Sequence, residues 1–257
     1  MSAQALRLSF TTAMRADVGF SSLFVASSLY LFVTTAVSTL WSVAAGDGSI
    51  AGYTSTMFVW YLATSEICTI AIPQRVLHVV GETIGTGEIA AEMLRPVPVL
   101  PFRLAREFGK VIPKFAALAC LGLIYATVVT RTIPSALGLL LAFPSVLLAL
   151  ALHVTTIHCF AVAAFWFRDA GTTWFLFQKL LFVLGGLLIP LQVLPDWFER
   201  VAWLTPFPLM AYAPARLAAG FVEPWLIALQ LAWIIGMYGA TRLAFRAGER
   251  KYMRSDG

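Results

Sequence analysis

Six long stretches of this chain are almost free of charge: Phe20–Ala45, Tyr53–Ile72, Val111–Val129, Pro134–Phe165, Thr173–Leu194 and Pro224–Phe245. A helix needs about 20 apolar residues to cross the hydrocarbon of a bilayer, and each stretch meets or approaches that length. Lipid offers no water to backbone N–H and C=O groups, so only helices and closed barrels can span it. None of the six alternates apolar and polar residues as barrel strands do. Six spanning helices are therefore expected. The composition agrees: of 257 residues 60% are hydrophobic and 12% charged, with mean hydropathy +0.82. A soluble domain carries about a quarter charged residues. The first stretch is longer than the core of a signal peptide, about 7–15 residues, and reads as a retained span. Pro144 is expected to mark a kink or an interfacial turn in the fourth stretch. Gly185, Gly186 and Pro190 should loosen or bend the fifth.

Basic residues set the expected orientation. If both termini lie on one side, that side collects Arg7, Arg15, Arg75, Arg95, Arg103, Arg106, Lys110, Lys114, Arg168, Arg246, Arg250, Lys251 and Arg254. The other side holds only Arg131, Arg200 and Arg216. Lysine and arginine accumulate on the cytoplasmic side, so both termini are expected there. The net charge of +5 is thereby explained by membrane lipids, and no nucleic-acid partner is expected. Cys68, Cys120 and Cys159 fall inside apolar stretches and suit packing rather than disulfides or metal. His153 and His158 are five apart and do not share a helix face, which also argues against a metal site.

The chain reads as one membrane domain over residues 1–257. In its first 19 residues, Leu6, Phe10, Ala13 and Met14 form an apolar stripe beside Arg7 and Arg15, broken by Asp17, as in a helix lying in the interface. A cytoplasmic loop is expected over 73–110. The outer segment 195–223 is rich in aromatics, but Pro206, Pro208 and Pro214 forbid one helix. Two short re-entrant helices packed on protein are expected, with a surface loop as the alternative.

Within the cytoplasmic loop, "TGEIAAEMLRPVPVLP" reads as a two-turn helix. Thr86 is placed to cap it, Glu88 suits the positive end of its dipole, and Pro96 stops it. Glu88, Glu92 and Arg95 share one face, and Ile89, Ala90, Met93 and Leu94 the other. So short a helix is unstable alone in water and must dock, either on lipid headgroups or in a cleft of a soluble partner. Arg103, Arg106, Glu107 and Lys110 follow on one helical side and read as headgroup anchors, with a specific partner site as the alternative. Inside the spans, Glu66 and Lys179 are expected to pair, with a proton or substrate role for Glu66 and His158 as the alternative. Machinery for hydrolysis is missing: "EFGKVIP" lacks the upstream glycine and the following hydroxyl of a phosphate loop, and neither G-x-S-x-G nor H-E-x-x-H occurs.

"GEIAAEMLRPVPVLPFRLARE", "FWFRDAGTTWFLFQKLLFVLGGLLIPLQVLPDWFERVAWLTPFP" and "YAPARLAAG" resemble the membrane subunits of bacterial ABC exporters of the type-2 permease class. The resemblance runs across nearly the whole chain. It implies an all-α integral membrane fold of six transmembrane helices. To these it adds an N-terminal interfacial helix, a cytoplasmic coupling helix between spans two and three, and short re-entrant helices before span six. It implies a second permease subunit, identical or homologous, and a cytoplasmic ABC ATPase dimer that binds the ATP. The chain itself would then need no cofactor and be no enzyme, and would sit in the bacterial inner membrane. On this reading Glu88, Ile89, Glu92, Met93, Leu94 and Arg95 couple to the ATPase, and Phe58, Trp60, Trp174 and Phe177 line a path. The cargo would be a small amphipathic molecule, drug-like or natural-product-like. The alternatives are export of a polysaccharide or lipid-linked glycan, and a proton-coupled carrier.

Overall fold

The computed structural model describes residues 2–14, 19–72, 76–86, 88–94, 98–133, 135–166 and 170–255. These residues form helices α1 (Ser2–Met14), α2 (Phe20–Ala45), α3 (Ser55–Ile70), α4 (Val76–Gly85), α5 (Glu88–Met93) and α6 (Val99–Thr130). The chain continues through α7 (Ala136–Val162), α8 (Ala170–Leu184), α9 (Asp196–Trp203), α10 (Tyr212–Ala218) and α11 (Trp225–Ser255). A hairpin of β1 (Ser49–Ile50) and β2 (Tyr53–Thr54) joins α2 to α3. Its turn residues Ala51 and Gly52 both have positive φ, at 52° and 82°, as a tight two-residue hairpin requires. Thr54 then caps α3 by accepting from the Met57 amide at 3.3 Å.

Among the described residues, four helices are long and apolar enough to cross a membrane: α2, α6, α7 and α11. The expected spans two and five are shorter, with 16 residues in α3 and 15 in α8. At 1.5 Å per residue they reach about 24 and 22 Å, short of a hydrocarbon core of about 30 Å. The third expected span begins earlier than its apolar run, because the charged segment from Arg103 to Lys110 is the first part of one 32-residue helix. The fourth runs unbroken through Pro144 and ends in a 3-10 turn at Ala163–Phe165. Half of the apolar window of α7 is buried, against 22% for α2 and α6 and 17% for α11. α7 is thus the central post, and the other three leave most of their surface uncovered by the rest of the bundle.

Polar side chains fasten that post. Ser145 Oγ donates to Gln230 Oε1 at 3.0 Å, and Gln230 Nε2 donates to Ser145 O at 3.0 Å and Leu209 O at 2.9 Å. One amide therefore joins α7, α11 and the 3-10 turn at Phe207–Leu209. An interhelical hydrogen bond in a membrane contributes about 0.6 kcal/mol on average, so position matters here more than strength.

The segment 195–223 forms two short helices, α9 and α10, and is no surface loop: Leu209, Ala211, Ala213, Ala215 and Leu217 are fully buried. It is admitted by a break in the fifth apolar run. α8 stops at Leu184, and Gly186 turns the chain with φ +62. Breaking a helix in an apolar interior frees carbonyls that must find donors. Here the Tyr61 hydroxyl donates to Gly186 O, Ser65 Oγ donates to Leu187 O at 2.8 Å, and the Tyr212 amide donates to Gly185 O at 3.1 Å. A second clamp lies near the hairpin. Arg216 makes a two-pronged contact with Glu223 at 2.7 and 2.9 Å, donates to the Tyr53 hydroxyl at 3.1 Å, and lies 4.0 Å over the Phe221 ring.

The N-terminal helix is present, but it is docked on protein along α6. Phe10 stacks on Phe108 with centroids 6.2 Å apart, and Ala13 is buried. Gly109 permits the approach, since a Cβ there would meet Phe10 O at 2.5 Å. Arg15 and Asp17 lie outside the described residues. The elements sort to two ends: α1, α4, α5, the start of α6 and the close of α11 at one, the hairpin, α9 and α10 at the other.

Tyr61→Phe keeps the ring and removes the donor to Gly186 O. A loss of about 1–3 kcal/mol is expected in reversible unfolding in mixed micelles, as for a buried carbonyl left unpaired.

Candidate coupling site

α4 leads into the site on the end shared with α1. It packs against α7, α8 and the 3-10 turn at Ala163–Phe165, with Leu77 in the same buried cluster as Ala161, Val162 and Phe165. Thr86 closes α4 instead of opening α5: its amide and hydroxyl donate to Glu82 O at 2.8 and 2.9 Å. The side chain thus satisfies a carbonyl at the end of the earlier helix, which corrects the expected N-cap.

α5 has six residues, of which Ile89 and Glu92 turn inward among the described side chains. Ile89 is fully buried in the cluster that holds Leu77, Leu152 and Phe177. On the opposite side Glu88 and Ala91 are exposed, and Leu94, just past the helix end, is 87% exposed. Glu92 turns inward: its Oε2 accepts from Arg103 Nε at 2.7 Å. The expected division of faces is therefore revised in two places. Glu92 leaves the outward face because a cation eleven residues on is folded back against it. Leu94 joins that face because the helix has already ended at Met93. Arg95 lies outside the described residues, as does the Met93 side chain.

Arg103 is 3% exposed, so Glu92 is the anion that lets a guanidinium be buried in the first part of α6. One turn on, Glu107 accepts from Lys110 at 2.8 Å and lies 3.4 Å from Arg106. Arg103 and Glu107 are buried and so are no headgroup anchors, whereas Arg106 and Lys110 remain partly exposed. Beside them a cleft of about 380 Å³ opens between Pro98–Pro101 and the last turns of α11, walled by Tyr238, Arg242, Arg246 and Glu249.

The other expected residues do not gather here. Glu66 is buried on α3, while Lys179 is exposed on α8 and lies 5.2 Å over the Phe175 ring. No ion pair joins Glu66 to Lys179 among the described residues. His158 is buried on α7 with its Nδ1 2.8 Å from Val154 O, and Nε2 has no partner. Phe58 stacks on Trp41 at 3.9 Å, and Phe177 is packed among His153, Phe160 and Phe207. Trp174 leans on His78 and Phe177. Of the four aromatics named for a path, Trp60 lines an apolar groove and Trp174 is partly exposed. Sequence reasoning missed the Glu92–Arg103 pair, because its spacing has meaning only once the turn between the two residues is folded.

Four helices among the described residues that are long and apolar enough to cross a bilayer define a multi-pass membrane protein. Residues 24–257 match the family described as ABC-2 family transporter protein, and the chain belongs to that family as a transmembrane ABC transporter permease. No curated protein matches it.

Exchanging Glu92 for Gln removes the anion beside a buried guanidinium while the Glu92 side is partly solvated, so about 2 kcal/mol of stability should be lost. The charge-swapped double variant, Glu92→Lys with Arg103→Glu, should recover much of it. Unfolding midpoints of the three proteins read the difference.

Proposed function

We propose that this chain is the permease subunit of an ATP-driven exporter, one half of a dimeric pathway whose engine is a separate cytoplasmic ATPase dimer. The observation that carries this reading is the build of α5: its inner side is held by Ile89 and by the Glu92–Arg103 pair, and its outer side is left bare at Glu88, Ala91 and Leu94. Membership of the ABC-2 transporter family supports both the partner ATPase and the second permease.

Mechanically, α5 has two outlets. Displacement of Glu92 is passed to Arg103 and so to α6, while Ile89 bears on the end of α7 through the shared cluster. Closure of the partner ATPases on ATP would draw the two α5 helices together and tilt each α6 with its α1, opening the pathway outward. Hydrolysis would reset it. Such a two-state rearrangement needs rigid connections rather than chemistry in the permease. In this reading all six apolar runs cross the bilayer, α3 and α8 being completed by the hairpin and by the turn after Leu184. Both termini and α5 face the cytoplasm of the bacterial inner membrane, and the cargo is a small amphipathic molecule.

Two experiments test the reading. Glu88→Lys combined with Leu94→Ser should reduce transport at least about ten-fold and release the ATPase on purification, with membrane insertion unchanged; unaltered transport would remove α5 from the mechanism. Single cysteines placed as Glu88→Cys and Trp197→Cys should react with an impermeant maleimide from opposite sides, the first only after the cytoplasmic face is opened.

A further inference from the structure

Away from the coupling end, α6 and α7 diverge and leave a groove of about 330 Å³ between them, floored by α3. Its floor is buried, with Trp60 at 5% and Ala63 at 2% exposure, while its rim residues Leu123 and Phe143 are 52% and 66% exposed. The groove therefore opens sideways, toward lipid. Its lining carries no charged residue. Two side chains with polar groups line the groove, one helical turn apart on α3. Trp60 Nε1 is buried and has no acceptor, and the Thr64 hydroxyl makes no hydrogen bond among the described residues. An indole N–H can only donate, and leaving it unpaired in hydrocarbon is costly.

We propose that this groove binds a neutral, largely apolar molecule bearing a hydrogen-bond acceptor, such as a carbonyl, that enters laterally from the bilayer. Three features select that class. The uncharged lining disfavours an ion, since nothing there compensates a charge taken from water. The volume falls at the small end of ligand sites, about 300–1,000 Å³. The unpaired N–H and hydroxyl discriminate against a plain hydrocarbon, because an acyl chain fills space but offers no acceptor. Identifying the occupant as cargo rests on the transport reading; the binding itself does not.

Benzophenone and diphenylmethane are suitable probes, since they share a two-ring shape and differ in one carbonyl. With the full chain in lipid nanodiscs, benzophenone should bind saturably and diphenylmethane about five-fold more weakly. Trp60→Phe should cut benzophenone affinity by about that factor and leave diphenylmethane unchanged, and Thr64→Val serves as a second probe of the same contact. Ala119→Trp, which fills the groove, should abolish both. An unchanged unfolding midpoint in Trp60→Phe separates lost binding from lost folding. Uptake that rises linearly with probe concentration would mean partition into lipid and overturn the proposal. So would saturable binding indifferent to Ala119→Trp, equal affinity for the two probes, or an Ala119→Trp variant that dissociates a dimer of this chain. None of these outcomes bears on the α5 variants, so a failed groove and a failed coupling helix are distinguishable.

Discussion

A peptide group freed from its helix inside an apolar interior has nowhere to turn but to other protein, and the rest of this fold is arranged around one place where that happens. The fifth apolar run breaks after Leu184, which exposes the carbonyls of Gly185, Gly186 and Leu187. Tyr61 and Ser65 of α3 and the backbone of Tyr212 supply the three donors. Because two of the donors sit one turn apart on α3, that helix must lie against the break and cannot drift outward. Because the third opens α10, the returning segment is drawn into the core, where it meets α7. The break, α3 and α10 thus form one block, and the Arg216–Glu223–Tyr53 clamp joins the hairpin to it.

The opposite end is built differently. There, among the described side chains, a six-residue helix is held by a buried isoleucine and a carboxylate paired to α6, which in turn carries α1. Hydrogen-bonded packing far from α5, and few fasteners near it among the described residues, are consistent with the proposed movement from one end. The α6 helix connects the two regimes, because it carries Arg103 and Gly109 near its start and reaches Gly122 beside Tyr30 deeper in the bundle. In the proposed mechanism a displacement at α5 would therefore arrive in the bundle as a tilt of α6.

Much of this could be read from residue order. Long uncharged runs demand helices, Pro206, Pro208 and Pro214 forbid a single helix before α11, and the short run from Glu88 to Met93 is helical as its pattern implies. The failures share a cause. The Glu92–Arg103 pair, the Gly109 seat of α1 and the donors at Gly186 each join residues whose proximity is made by a turn or by packing. Periodicity within one helix is blind to such contacts. The expected Glu66–Lys179 pair erred the same way: depth in the bilayer was inferable from position along each run, whereas the facing of the two side chains was not, and Lys179 lies instead over Phe175.

By itself, then, the sequence determined the solvent. Hydropathy and the cost of unpaired backbone in lipid left helices as the only element, and residue patterns located the short helices between them. Tertiary structure decided which helices stand long enough to cross alone, which face of α5 stays bare, and that α6 and α7 part over Trp60. Those outcomes depend on the rotation of each helix about its own axis, which is set by partners far away along the chain. Helical periodicity leaves that rotation free until packing and paired polar groups fix it.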